Sequence, residues 1–328
     1  MELDEYILGE SLGKGVFGET FLGSKKPSTI KYVIKKYDKT RCPAEVKKYL
    51  DEGISILKES NHPNIIKLYD VKEKQDATYI IEEFCNGGTL EKFLEKHQNE
   101  KKVPFSEEIV QHIMRQVIDA FNYLHGKNIM HRDLKFENIL LNYEDEKSRE
   151  NMDIMKATIK IVGFNFARHL KEGELAKTIV GNPLNMSPHI LNGLAKTKNN
   201  LNIGYNEKED IWSLGSICYR LLTGNFLFDS QDLDELVISV EKGDYYLPIT
   251  LSKEAVSFLN CMLQYNSEKR LSAEQLSNHY FLKKKVSEFK KIDINELKNV
   301  KIIYQPTILI NTKDNESIWE NFGKGIEG

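Results

Sequence analysis

The stretch HRDLKFEN, His131–Asn138, places three chemically capable side chains at fixed offsets. Asp133 can accept a hydroxyl proton, Lys135 brings a positive charge and Asn138 can bind a metal ion. An apolar helical stripe precedes them, and chance is a poor explanation for the set. Further upstream, GKGVFG (Gly13–Gly18) lies between two strand-like runs, where glycines let a backbone close over phosphates. Alone, that pattern is equally a hairpin turn. Lys35 follows the apolar run Tyr32–Ile34, a place where a lysine is usually solvated. A third stretch, TIKIVGFNFAR (Thr158–Arg168), ends a β-branched run on Gly163-Phe164-Asn165, with no ionisable group in the tripeptide. The simplest account is a turn, since Gly and Asn tolerate positive φ.

Positioning these groups requires a scaffold in two parts. From Tyr6 to Phe84 short apolar runs (Ile7–Leu8, Phe21–Leu22, Tyr32–Ile34, Ile65–Tyr69, Tyr79–Ile81) alternate with polar turns around one helical pattern. This predicts a small sheet carrying one helix. After CNGGTL helical periodicity takes over, so the boundary falls near Asn86–Gly88, dividing a first lobe, 1–86, from a second, 87–282. Ser106 and two acids precede the stripe Ile109, Ile113, Val117, Ala120, Phe121 and Leu124, which predicts a buried helix ending before Gly126. Further helices are expected over 209–224, 253–263 and 272–276. The charged segment 142–158 reads as an excursion between strands. The lysine-rich stretch 283–328, with Trp319 and Phe322 near its end, reads as an extended tail able to anchor to this chain or to a partner.

Bulk properties narrow the classes. A chain of 328 residues, 40% hydrophobic and 29% charged, suits one large two-part domain or two domains folding in water. Its formal charge of −3 gives no electrostatic footprint for nucleic acid or an anionic membrane. Cys42, Cys85, Cys218 and Cys261 have neither disulfide-like nor metal-like spacing, so free thiols in a reducing compartment are expected. No apolar run suits a membrane span or a secretion signal, and the default localisation is cytoplasmic.

With these motifs assembled, the chain resembles the eukaryotic protein kinases from Tyr6 to about Leu282. The resemblance rests on the Gly-rich loop, Lys35 in VIKK, the hinge EEFCNGG, HRDLKFEN, the DIWSLG helix from Asp210 and SEKRLS with Arg270. The sub-pattern ILKESNHPNIIKLYD, EFCNGGTL and GFNFAR looks most like the autophagy-initiating serine/threonine kinases and their Fused-like relatives. That group divides between autophagy and ciliary or microtubule-linked signalling. The implied architecture is α+β and bilobal, with a small antiparallel sheet plus one helix above a larger helical lobe. The implied nucleotide site comprises Gly13, Gly15, Gly18, Thr20, Val33, Lys35, Glu82, Glu83, Cys85 and Leu140. The activation segment would span 163–189.

Several departures from the family pattern fall on the chemistry. Gly163 stands where the family's DFG aspartate holds magnesium against the phosphates, leaving Asn138 as the sole metal ligand. Asn165 replaces the DFG glycine and could still take the left-handed conformation. The small-lobe helix should carry a glutamate nine residues before His62, which lands on Gly53. At about 100° per residue Gly53 lies about 20° outside the apolar arc of Val46, Leu50, Ile54 and Leu57, and Glu52 about 120° outside, so Glu52 is expected to face solvent. Glu82 occupies the gatekeeper position and is expected to turn inward to pair with Lys35, since a buried lysine without a counter-charge is costly. Thr20 and Val33 replace smaller or apolar pocket residues. His189 replaces the APE glutamate, leaving a hydrogen bond to Arg270 as the remaining link. Leu57, Leu68, His131 and Phe164 keep the family's regulatory-spine positions.

Losing one preorganised transition-state contact costs about 10² to 10³ in rate. The expectation is therefore a pseudokinase: Asp133, Lys135 and Asn138 retained but idle, no cofactor required, at most weak ATP without productive magnesium, and action as a scaffold or allosteric regulator through protein contacts. The alternative is a weak serine/threonine kinase using Asp133 as base, with Arg132 pairing to a phosphate on Thr178. A plain exposed loop threonine is the other account of Thr178.

Overall fold

The computed structural model describes residues 2–290 apart from 172, 179, 196–203, 231, 244 and 249. Strands β1 (Glu2–Leu3), β2 (Tyr6–Gly15), β3 (Gly18–Lys25) and β4 (Lys31–Asp38) precede helix α1 (Ala44–Glu59), and β5 (Leu68–Glu73) and β6 (Ala77–Glu83) follow it. They form one antiparallel six-stranded sheet in the order β1-β2-β3-β4-β6-β5. Side chains alternate between the two faces of a strand, and residues directly opposite share a face. Tyr32 and Ile34 therefore pack with Tyr6, Leu8, Tyr79 and Ile81 on one face. Leu50 and Ile54 of α1 cover Ile80 on the other. Val33 lies opposite Glu82 and Lys35 opposite Ile80, which makes Lys35 and Glu82 diagonal neighbours on that second face.

The second lobe begins with α2 (Leu90–Lys101) and α3 (Glu107–Gly126), then β7 (Ile129–Met130), β8 (Ile139–Asn142), α4 (Glu146–Glu150), β9 (Thr158–Ile161) and β10 (Arg168–His169). It continues through α5 (Pro188–Ala195), α6 (Lys208–Thr223), α7 (Leu233–Lys242), α8 (Lys253–Met262), α9 (Ala273–Ser277) and α10 (Tyr280–Lys283). Ser106 caps α3 by accepting from the Ile109 N–H, with Glu107 and Glu108 in the first turn where they favour the helix dipole. Helix α6 is buried almost all round and stops at Gly224, whose φ of 76° supplies the left-handed cap. The lobes meet where Ile65 pairs with Ile161, Ile66 N–H donating to Ile161 O and Ile161 N–H to Asn64 O.

That junction corrects one expectation. The run Ile65–Tyr69 is not a strand of the sheet throughout: β5 starts only at Leu68 and runs on through the charged residues to Glu73. Ile65 and Ile66 are apolar because they plug the interface between lobes. The charged segment after β8 holds α4, capped by Asp145, and returns as β9, which pairs back along β8 from Asn142–Thr158 to Ile139–Ile161. No helix among the described residues is long and apolar enough to cross a membrane. Trp319 and Phe322 lie outside the described residues.

Candidate functional site

The loop carrying Asp133 is held from below by Asp210, near the start of α6. Its Oδ2 accepts the His131 N–H and its Oδ1 the Arg132 N–H, both at 2.9 Å, and Oδ2 lies 3.0 Å from His125 Nε2. This anchoring holds Arg132 at a φ of 65°, a left-handed conformation costing a non-glycine residue about 1–2 kcal/mol. Burial alone would raise the Asp210 carboxyl, but His125 and these bonds outweigh it and hold the group below its ordinary value. His131 Nε2–H donates to Val162 O at 2.9 Å, and its ring meets Phe164 edge-on at 5.0 Å. Leu57 and Phe164 lie in the same core cluster, and Leu68 packs against it.

Asp133 itself is pushed above its ordinary value by burial, opposed by Lys135, whose Nζ stands 3.9 Å away, and by Asn138. Asn138 Nδ2 donates to Asp133 O at 2.7 Å and to Asp133 Oδ2 at 3.0 Å. Gly163 adopts φ 84° and ψ 39°, and Phe164–Phe166 follow as a 3₁₀ turn. The left-handed residue is thus Gly163, while Asn165 sits inside the turn; the expectation that Asn165 takes the left-handed place is corrected. A Cβ at Gly163 would fall 2.5 Å from Asn138 Cγ, so the amide of Asn138 fills the space a side chain here would need.

Lys35 Nζ lies 2.8 Å from Glu82 Oε2, with side chains 21% and 6% exposed. The Glu82 carboxylate thus supplies Lys35 with the partner expected of it. Burial would depress the Lys35 ammonium; Glu82 overcomes this and holds it above its ordinary value. Tyr37, two residues along on the same face, donates its hydroxyl to Asn165 Oδ1 at 3.1 Å, and burial raises its phenol. Sequence reasoning passed over Tyr37, although its period-two spacing from Lys35 aims it the same way.

Around the nucleotide position, Gly13 and Gly15 are exposed, and Gly18, Thr20 and Val33 half-buried. Thr20 pairs with both Gly13 and Lys35 across the sheet. Glu83 Oε2 lies 2.9 Å from Lys160 Nζ and accepts the Lys67 N–H at 3.2 Å. Burial first, then Glu83, pushes the Cys85 thiol up to about 12. Leu140 bridges Thr89 from β8.

Two expectations around the activation segment change. Glu52 does not simply face solvent: it is half-buried, and its Oε1 accepts the His169 N–H at 3.1 Å, because β10 packs on a second side of α1. The one-face helix argument allowed for a single packing surface. His189 donates from Nε2 to Gly204 O at 3.1 Å rather than serving Arg270, which is held instead by Glu209 Oε2 at 3.2 Å and by the carbonyls of Lys208 and Gln264. The replacement carboxylate comes from α6, the residue before Asp210.

Thr178 is half-buried, not exposed, and its carbonyl accepts the Tyr205 hydroxyl. Tyr205 also lies 3.4 Å from Arg132 Nη1, while Arg132 Nε donates to Phe166 O at 2.6 Å. Thr178 lines a groove with Lys48, Tyr49, Glu52, Arg168 and Lys171.

The ligand implied by the resemblance is a magnesium-bound triphosphate. Where the resemblance puts its metal, position 163 offers no carboxylate and the Asn138 amide lies against the glycine.

Residues 6–282 match the family model of the protein kinase domain. Myosin light chain kinase A of Dictyostelium discoideum is 32% identical over 283 residues, 85% of this chain and 88% of that protein. Calcium-dependent protein kinase 5 of Plasmodium berghei (strain Anka) is 34% identical over 300 residues, 90% of this chain but 48% of the relative. Its namesake from Plasmodium falciparum (isolate 3D7) is 34% identical over 287 residues, 86% of this chain and 45% of the relative. The chain thus spans most of the first protein and about half of the other two.

Proposed function

The chain belongs to the protein kinase family, and from that premise we propose that it is a member with impaired phosphoryl transfer, acting mainly through protein contacts. The observation carrying this reading is Gly163 under the amide of Asn138. Phosphoryl transfer is chiefly positioning and charge neutralisation, so a cleft that cannot grip the metal loses the main source of transition-state stabilisation. Lys35 is held by Glu82 from the strand rather than by a carboxylate from the helix, so its ammonium is positioned differently from the family pattern. No cofactor is needed on this reading; ATP binds at most weakly and without productive magnesium. The partners are proteins, met through the lobe surfaces and 283–328, in the cytoplasm. The finer kinship with autophagy-initiating and Fused-like kinases is supported by motif wording alone, and the relatives above carry other names.

A second reading is favoured by those names, all of them kinases, and by the grouping of Asp133, Lys135 and Asn138. It is a weak ATP-dependent serine/threonine kinase using Asp133 as base. Melting curves with ATP plus Mg²⁺ and with ATP plus EDTA, followed by radiolabel transfer by wild type and Asp133→Asn, separate the two. The first reading expects no metal-dependent shift and no transfer sensitive to Asp133. Metal-dependent stabilisation with Asp133-dependent labelling would establish the second.

A further inference from the structure

The contacts of α1 point to a role for Gly53 unrelated to a missing charge. Tyr49, Glu52 and Gly53 follow the i, i+3, i+4 spacing and so share one stripe of the helix, distinct from the Leu50, Ile54 and Leu57 stripe that enters the core. Each member of that stripe meets the segment after Gly163. Tyr49 packs edge-on against Phe166 with ring centroids 6.3 Å apart. Glu52 accepts the His169 N–H. Gly53 lies against the Phe164 carbonyl so closely that a methyl group there would enter the oxygen's envelope, 3.1 Å from the Phe164 carbonyl carbon and 3.7 Å from Asn165 Cα. From the sheet, Tyr37 reaches the same turn through Asn165. Tyr49 also faces the Arg132 guanidinium at 5.8 Å, which extends the contact to the Asp133 loop.

We propose that this stripe is a latch: Gly53 lets α1 seat directly on the backbone of the Phe164–Phe166 turn, fixing helix, turn and Asp133 loop as one unit without an ion pair from helix to Lys35. The obstacle at Gly53 is backbone, which cannot rotate away as a side-chain end could. Any side chain here must lift α1 or push the turn. The latch goes beyond the proposed function and holds whether or not the cleft transfers phosphate. It gives a chain working through its surfaces one fixed arrangement of α1 and the activation segment.

The test turns on a sign. A glycine in an unobstructed helix interior gains stability on becoming alanine. Gly53→Ala in the full chain is expected to lower the melting temperature by about 3 °C or more. Amide hydrogen exchange should quicken together in α1 and in 164–169, by at least about tenfold, while α6 and α8 stay unchanged. A raised melting temperature, or faster exchange confined to α1, would overturn the latch. Should Gly53→Ala fail to fold, Tyr49→Leu removes the stripe's ring contact with Phe166 and its face toward Arg132. Its expected result is faster exchange at 164–169, and unchanged exchange there overturns the proposal. Radiolabel transfer is scored separately, so failure of the latch and failure of the proposed function are distinct results.

Discussion

The floor of the cleft and its roof are held by different kinds of contact. On the floor, one carboxylate, Asp210, grips two consecutive backbone N–H groups and His125, and His131 ties the loop to Val162. These are buried bonds between backbone and side chain, and each lost partner would leave an unsatisfied polar group. Across the roof and the turn after β9, Glu82 meets Lys35, Gly163 stands where the resemblance puts a metal-binding aspartate, and Tyr37 reaches Asn165. The floor holds the contacts that position the loop, and the roof holds those in which this chain departs from the family pattern it resembles.

Removing the floor's anchor should have the largest effect. Asp210→Ala strips acceptors from His131 and Arg132 and a partner from His125, and it should cost about 3–5 kcal/mol, read from urea denaturation. A loss under about 1 kcal/mol would erase the contrast between floor and roof. The pH dependence follows from the lowered Asp210 carboxyl. A group whose folded value lies below its unfolded value stabilises the fold above about pH 4 and loses that contribution as pH falls through the folded value. The acid limb of wild-type stability should therefore be shallower in the variant.

The roof's rearranged pair comes next. Lys35→Met leaves the Glu82 carboxylate buried beside a methyl group. It should cost about 2–4 kcal/mol, below the range for a fully enclosed pair because part of Lys35 meets water. Adding Glu82→Leu should recover most of that loss, since two apolar groups replace a buried ion pair nearly neutrally. Equal melting temperatures for single and double variants would show that the 2.8 Å contact carries no energy. Lys35 is raised, so its contribution is complete below about pH 10.5 and is lost as pH rises through the folded value.

This contrast also explains what could be read from the chain alone. The lobes, the helices at α3, α6, α8 and α9, and the grouping of Asp133, Lys135 and Asn138 were legible because periodicity and fixed offsets are local signals. Glu82 beside Lys35 was legible because the resemblance puts Glu82 at the gatekeeper position and a buried lysine demands a carboxylate; strand register then places both on one face. Glu209 beneath Arg270 was not, since the two are 61 residues apart and no local spacing joins them. Ile65 and Ile66 look like strand from composition, whereas burial between lobes accounts for them equally well. Glu52 was misjudged because a helix wheel shows which residues share a stripe, not how many neighbours the helix has.

Glu52 offers the smallest and sharpest probe of the contrast. Its carboxylate is half-exposed and meets a single backbone N–H, so Glu52→Gln keeps an acceptor near His169 while removing the charge that strengthens the bond. The expected loss is about 0.5–1 kcal/mol, close to the resolution of a denaturation curve. Amide exchange is the better readout, because it reports the one N–H involved. Faster exchange at His169, with His131 and Arg132 unchanged, would mean that roof contacts loosen without disturbing the loop on Asp210. Faster exchange at all three would mean that roof and floor respond as one body, coupled through the pairing of β10 with β7 and the contacts of Arg132 with Phe166 and Tyr49.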